Sequence, residues 1–176
     1  MTSRLESIAD KIRSEFTAKD AARERSLRLC REIIRYSADT IKAVHRGEFD
    51  TAQELLGQAR SNVKEVSQSL TEHGDIFHAG FVHNSQKEYA EASITLALVR
   101  GKPVSTPQAL AVENAAYLNG MGEAAGELRR HLLDRMRRGD LDGCEDILGS
   151  MDDIYNVMVT MDFPDAVTGG LRRTAD

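Results

Sequence analysis

Between Asp20 and Arg46, the residues Leu27, Cys30, Ile34, Ser37, Ile41 and Val44 recur at steps of three and four. That spacing predicts one apolar stripe along a helix of about seven turns. Gly47 is placed to cap its C-terminus, and Asp50 to cap a second helix. In that second helix Ala52, Leu55, Leu56, Ala59, Val63, Val66 and Leu70 repeat the pattern, up to the break at His73-Gly74-Asp75. The short joint makes the two helices an antiparallel hairpin.

A third helix is expected from Ile76 to Arg100, apolar nearly all round over 92–99, as suits a helix crossing the centre of a bundle. Gly101-Lys102-Pro103 ends it. Thr106 before Pro107 is a cap and first-turn signature, which predicts a longest helix from Pro107 to about Arg138. Leu110, Leu118, Met121, Ala125, Leu128, Leu132 and Met136 would face inward on it. The fifth helix is expected from Asp142 to about Met161, stopped by Asp162-Phe163-Pro164. No segment has the period-two alternation of a strand. The segments 46–57 and 138–149 share an order of helix, glycine cap, aspartate cap and helix, which reads as common capping grammar rather than as a repeat array. The pattern predicts an all-α fold, an elongated antiparallel helical bundle, with 1–176 as a single domain.

Composition narrows the class. The 176 residues include three prolines and no tryptophan, so little interrupts the helical pattern. No apolar run is long enough to span a bilayer, and Met1–Asp20 offers none for a signal peptide, so a cytoplasmic location is expected with no membrane partner. Cys30 and Cys144 stand alone, without zinc spacing, and are expected to be small core residues.

Two acidic pairs carry the candidate chemistry. Glu88 and Glu91 lie three apart on the third predicted helix, beside rows of residues that should face other helices. Glu123 and Glu127 lie four apart on the fourth, among Gly120, Gly122 and Gly126. Three glycines inside a helix forfeit on the order of 2–3 kcal/mol relative to alanine, which close approach of another helix would offset. With antiparallel neighbours, the two pairs would meet. Four crowded carboxylates need a counter-charge, and oxygen-only donors select a hard cation, Mg²⁺ or Mn²⁺. The alternative is that they pair with bases, Lys87 with Glu91 and Arg130 or His131 with Glu127. Di-iron sites need Glu-x-x-His pairs, which are absent. Nucleotide pyrophosphohydrolases also use acidic pairs on two helices, but their second pair is spaced by three.

The basic residues follow their own line. Arg28, Arg31 and Arg35 track the first apolar stripe displaced by one residue, and Arg60 and Lys64 do so on the second helix. Arginine supplies 17 of the 23 basic side chains, and its planar fork suits phosphate. The net charge of −5 does not exclude a nucleic-acid partner, because it is distributed as +4 over 1–46, −2 over 47–139 and −7 over 140–176.

With these residues in place, the sequence resembles the translin and translin-associated factor X (TRAX) family over most of its length. The run 23–46 is similar to the family's first long helix, including Ser37, Thr40-Ile41 and His45-Arg46. Glu88-Tyr89-Ala90-Glu91-Ala92 resembles the Glu-Tyr-x-Glu-Ala block of TRAX-type subunits. Tyr117-Leu118-x-Gly120, Gly126-Glu127-Leu128-x-Arg130 and Gly139-Asp140 resemble the second block. The resemblance implies about seven helices, homo-oligomers in the form of hollow octamers, and binding of single-stranded RNA or DNA inside. It further implies a metal-dependent endoribonuclease in which Glu88, Glu91, Glu123 and Glu127 are catalytic and hold Mg²⁺ or Mn²⁺. Glu123 stands where the family usually has aspartate. Arg28, Arg31, Arg35, Arg60, Lys64 and Arg130 are the expected nucleic-acid contacts. A translin-type scaffold that binds single-stranded RNA or DNA without cleaving it is the competing expectation.

Overall fold

The computed structural model describes residues 2–172. Over them the chain forms eight helical segments: α1 Thr2–Arg46, α2 Phe49–Ser69, α3 Gly74–Phe77, α4 Gly80–Val99, α5 Pro107–Leu110, α6 Asn114–Arg137, α7 Cys144–Val159 and α8 Asp165–Thr168. No strand occurs among the described residues, so the all-α expectation holds. No helix among them is long and apolar enough to cross a membrane.

The longest helix is α1, not the fourth predicted helix. It begins some eighteen residues before the predicted start, and that added length carries Leu5, Ile8, Ile12 and Phe16 on its exposed surface. Its buried row is Ser26, Cys30, Ile33, Ser37, Thr40, Ile41 and Val44, one residue off the predicted stripe at two points, because Leu27 and Ile34 are only half buried. Gly47, in the left-handed region at φ 76°, reverses the chain into α2. The N-cap there is Glu48 rather than Asp50, which lies in the first turn of α2, and no side chain caps the helix. Ala59, Val63, Val66 and Leu70 of this hairpin close over Cys30, Ile33, Val82 and Tyr89.

The third predicted helix is two, broken at His78-Ala79 into α3 and α4. The fourth is broken as well. Thr106 does cap it, accepting a hydrogen bond from the Ala109 N–H at 3.2 Å. After one turn Ala111 swings into the left-handed conformation at φ 58°, and its neighbour Val112 donates back to the Pro107 carbonyl at 3.1 Å, a closure that ends a helix. The chain restarts as α6. The fifth predicted helix starts two residues late, after left-handed Gly143 instead of on an Asp142 cap. Cys30 is buried as expected, but Cys144 is only partly covered, with its thiol 3.6 Å from the Asp140 carbonyl.

The largest departure concerns direction. α4 and α6 run parallel, not antiparallel. The Glu113 N–H at the start of α6 donates to Gln86 near the start of α4 at 3.0 Å. Gly120 packs on Ala90, and Leu98 and Val99 at the end of α4 pack with Leu128 and Leu132. A helix of 20 residues is about 30 Å long. The extended stretch after Gly101 together with α5 is long enough to carry the chain back along it at about 3.3 Å per extended residue. α1 shares the direction too, since Cys30 meets Ser85 at 3.3 Å while Ala43 and Val44 meet Leu96 and Val99. Three parallel helices, α1, α4 and α6, therefore present their C-terminal halves at one end of the molecule. α7 returns antiparallel and covers α6 through Ile147, Ile154 and Met158.

Candidate acidic metal centre

Glu88, Glu91 and Glu123 come together between α4 and α6, each offering a carboxylate oxygen within 4.8 Å of the others. Gly120 makes this approach possible. A Cβ there would lie 2.6 Å from the Lys87 carbonyl oxygen and 2.9 Å from both the Ala90 Cβ and the Glu91 nitrogen, so only glycine lets the backbones close to this distance. Gly126 does not share that role, because a Cβ there would meet nothing within 4 Å. Asp or Glu three residues beyond Gly120 is brought nearly one turn on, against the acids of α4.

The electrostatics of the group are strained. Glu91 is 8% exposed, and its carboxyl is pushed up to about 8, chiefly by burial and then by the charges of Glu123, Glu88 and Glu127. Lys87 is the one cation within reach among the described residues of the group. Its ammonium donates to Glu123 at 2.6 Å and lies 3.4 Å from Glu88. Burial alone would lower its pKa, but those carboxylates outweigh burial and hold it above the usual lysine value. The predicted Lys87–Glu91 pairing is thus replaced by Lys87–Glu123, a contact across helices that i,i+4 spacing could not show.

Glu127 sits one turn beyond the group and is turned toward α1. Its Oε2 meets His45 Nε2 at 2.5 Å, and Arg130 stands 3.9 Å away. The His45 ring packs 5.9 Å, centroid to centroid, from His131. His131 is held below the ordinary histidine pKa by burial, then by His45, Arg135 and Arg138. So the pair on α4 stays together and takes in Glu123, the pair on α6 is split, and Glu127 communicates with the triad through its charge on Glu91. The spacing predicts Lys87 and His131 beside the acids, but their partners differ, since Lys87 bonds Glu123 and His131 packs on His45. The side chain that residue chemistry alone does not place at the site is His45. His45 carried a signal, as the residue that follows the last member of the α1 stripe, but its partner depends on the parallel course of α6.

Of the predicted nucleic-acid contacts, Arg28, Arg31, Arg35 and Lys64 are exposed and make no ion pair among the described residues. The acids nearest them on α1 are engaged elsewhere: Glu24 with Arg23, Glu32 with Asn62 and Asp39 with Lys42. Arg35 lies over the Tyr36 ring at 5.0 Å. Arg60 reaches instead to the Ala109 carbonyl at 3.3 Å, which ties α5 to α2.

The residues fit a divalent cation. Three oxygens within a few ångströms, one on a carboxyl that burial and then like charges push up to about 8, form an oxygen-only, hard-donor set of the kind a divalent cation takes.

No family model matches the chain. An uncharacterized protein of Methanocaldococcus jannaschii is 29% identical over 160 residues, which are 90% of this chain and 70% of that protein. Among solved structures, apo NeC3PO superposes with a TM-score of 0.84 at 17% identity over 96% of this chain and 88% of that one, a likeness of fold. The free form of AfC3PO gives 0.86 at 28% identity, with 96% and 87% covered. AfC3PO in its complex with duplex RNA gives 0.87 at 30% identity, again over 96% of this chain and 87% of that chain. With a relative matched at that identity along nearly its whole length, and with an all-helical fold that superposes throughout, the chain belongs to the translin/TRAX family to which the C3PO proteins belong.

Proposed function

We propose that the protein is a TRAX-like, Mg²⁺- or Mn²⁺-dependent endoribonuclease acting on single-stranded RNA. The observation that carries this reading is the triad of Glu88, Glu91 and Glu123 within 4.8 Å, too crowded for all three to stay ionised without a cation. RNA is the polymer proposed because the relative AfC3PO was solved on duplex RNA. Exposed and unpaired Arg28, Arg31 and Arg35 supply phosphate contacts along one side of α1, with Arg130 near the acids. The chain has few aromatics for stacking bases, so little sequence preference is expected. The exposed stripe Leu5, Ile8, Ile12 and Phe16 supports assembly with further copies, as the octamer expected of the family would require.

In this reading Glu88, Glu91 and Glu123 would hold the cation. Bound there, it would supply charge for the scissile phosphate and an acidified water. The chain's own part is to give up the Glu91 proton as the cation is taken, to release Lys87 from Glu123, and to fix the Glu127 oxygen through His45. Lys87, once released, remains beside the group as a cation for the phosphodiester.

The translin-type scaffold keeps one observation in its favour, since Lys87 already neutralises part of the acidic group. Incubation of the purified protein with single-stranded RNA separates the two. Fragments should form with Mg²⁺ or Mn²⁺ and not in EDTA. Binding of intact RNA with every divalent metal, without cleavage, would leave the scaffold reading standing instead. A duplex substrate run beside it tests the single-strand preference.

A further inference from the structure

Beyond Glu127, the joined C-terminal ends of α1, α4 and α6 enclose a cleft of about 350 Å³ that the acidic group does not use. Its walls carry three guanidinium groups and two imidazoles, from Arg46, Arg135, Arg138, His45 and His131, with Asp140 as the only acid among the lining residues. Arg46 is paired with Glu48 at 2.8 Å, and Arg135 is held by Asp140 through two bonds of 2.9 Å each. Arg138 has no ion pair among the described residues, so the cleft keeps net positive charge. The Phe49 ring and Val99 form an apolar side.

This arrangement differs from the protein's other basic surfaces. Arg129, Arg130 and Arg137 line a hollow built from α6 alone, whereas the cleft gathers cations from separate elements onto one volume. Its size falls in the roughly 300–1,000 Å³ range of small-molecule sites. Convergent guanidinium and N–H donors beside an apolar wall match a phosphate carried on a nucleoside. A second observation links it to the acids. His45 is 91% buried in its side chain, lines the cleft and bonds Glu127 through Nε2, while its Nδ1 is buried without a partner.

We propose that this cleft is a phosphate subsite for one nucleotide unit of a bound strand, with Arg138 as its free guanidinium and Arg46 and Arg135 as supporting charge. The assignment rests on the nucleic-acid ligand proposed above but not on cleavage. A phosphate seated here lies next to the acidic group across the His45–Glu127 contact. The subsite thereby sets which neighbouring phosphodiester reaches the acids.

The test uses the full chain in EDTA, so that no cleavage intervenes. Adenosine 5′-monophosphate is titrated by calorimetry into wild type, Arg138→Ala and Arg137→Ala. Loss of one charge-assisted contact should weaken binding about tenfold in Arg138→Ala. Arg137→Ala, whose side chain faces the neighbouring hollow with Asp134, should bind as wild type does. Parallel titrations with 5′-phosphorylated and 5′-hydroxyl RNA of one sequence locate the source. A loss confined to the phosphorylated strand assigns a terminal phosphate, and an equal loss with both assigns an internal one. Equal affinities of wild type and Arg138→Ala for all three ligands would overturn the subsite. If that happened while EDTA-sensitive cleavage persisted, the nuclease reading would survive alone. The reverse pattern would remove the nuclease and leave the subsite.

Discussion

Glu91→Gln should abolish metal-dependent RNA cleavage while making the protein more stable. Glutamine keeps the shape of Glu91 but replaces one of the three carboxylates that would hold the cation with a neutral, weaker-binding amide. Changing a residue that only supports a metal ligand commonly reduces affinity or activity 10–100-fold, so loss of a ligand itself should lower activity by at least about 100-fold. The stability change has the opposite sign for a reason visible in the metal-free protein. Burial and three like charges raise the Glu91 carboxyl from an ordinary value of 4.5 to about 8. Between those values the folded chain retains a proton that the unfolded chain releases. Wild-type stability in EDTA should therefore fall as pH rises from about 4.5 and level off above about 8, by on the order of a few kcal/mol. Glu91→Gln should lack that contribution and unfold at higher temperature near pH 8, with RNA binding in EDTA retained. Unfolding curves across pH, set beside cleavage rates, check both halves. A variant that is inactive because it is unstable would contradict the account, as would wild-type and variant stabilities that keep the same difference at every pH.

Gly120→Ala carries the second large effect. Alanine is the better helix former by about 0.8–1 kcal/mol, so on propensity alone the substitution would stabilise α6. The geometry reverses the sign. The added methyl would meet the Lys87 carbonyl at 2.6 Å and the Ala90 Cβ and Glu91 nitrogen at 2.9 Å, all of them backbone or short, stiff groups. α4 and α6 must move apart, at a cost of typically 1–3 kcal/mol for an overpacked core. Because Lys87, Glu88 and Glu91 lie along that same seam, the acidic group should spread and cleavage should fall with stability. Gly126→Ala is the internal comparison, with open space around it, and should raise the melting temperature by a few degrees. Melting temperatures that shift in the same direction in both variants would show that Gly120 does not set the helix separation.

These two glycines also show what was legible in the chain. Three glycines near an acidic pair pointed to close helix approach, and the approach exists at Gly120 but not at Gly126. The α1–α2 hairpin could be read from its three-and-four spacing because burial of a helical face writes itself into that period. The course of the chain from Arg100 to Glu113 could not. Its direction depends on an extended return segment and on a left-handed alanine at position 111, a conformation that alanine does not announce. Reading 107–138 as one helix led to the antiparallel expectation for α4 and α6, and hence to a symmetric meeting of two acidic pairs. The parallel arrangement keeps Glu88, Glu91 and Glu123 together but sends Glu127 to His45. It also explains why Lys87 crosses to Glu123 instead of pairing along its own helix.

Glu88, Glu91 and Glu123 are proposed to hold a divalent cation. Mn²⁺ binding, followed by electron paramagnetic resonance on the purified full chain, tests it without RNA. Wild type should take up Mn²⁺ with an affinity that rises with pH up to about 8, as the Glu91 proton becomes easier to displace. A Glu88→Gln, Glu91→Gln, Glu123→Gln triple variant should lose that binding. Mn²⁺ bound by the triple variant as tightly as by wild type, or by neither, would contradict it.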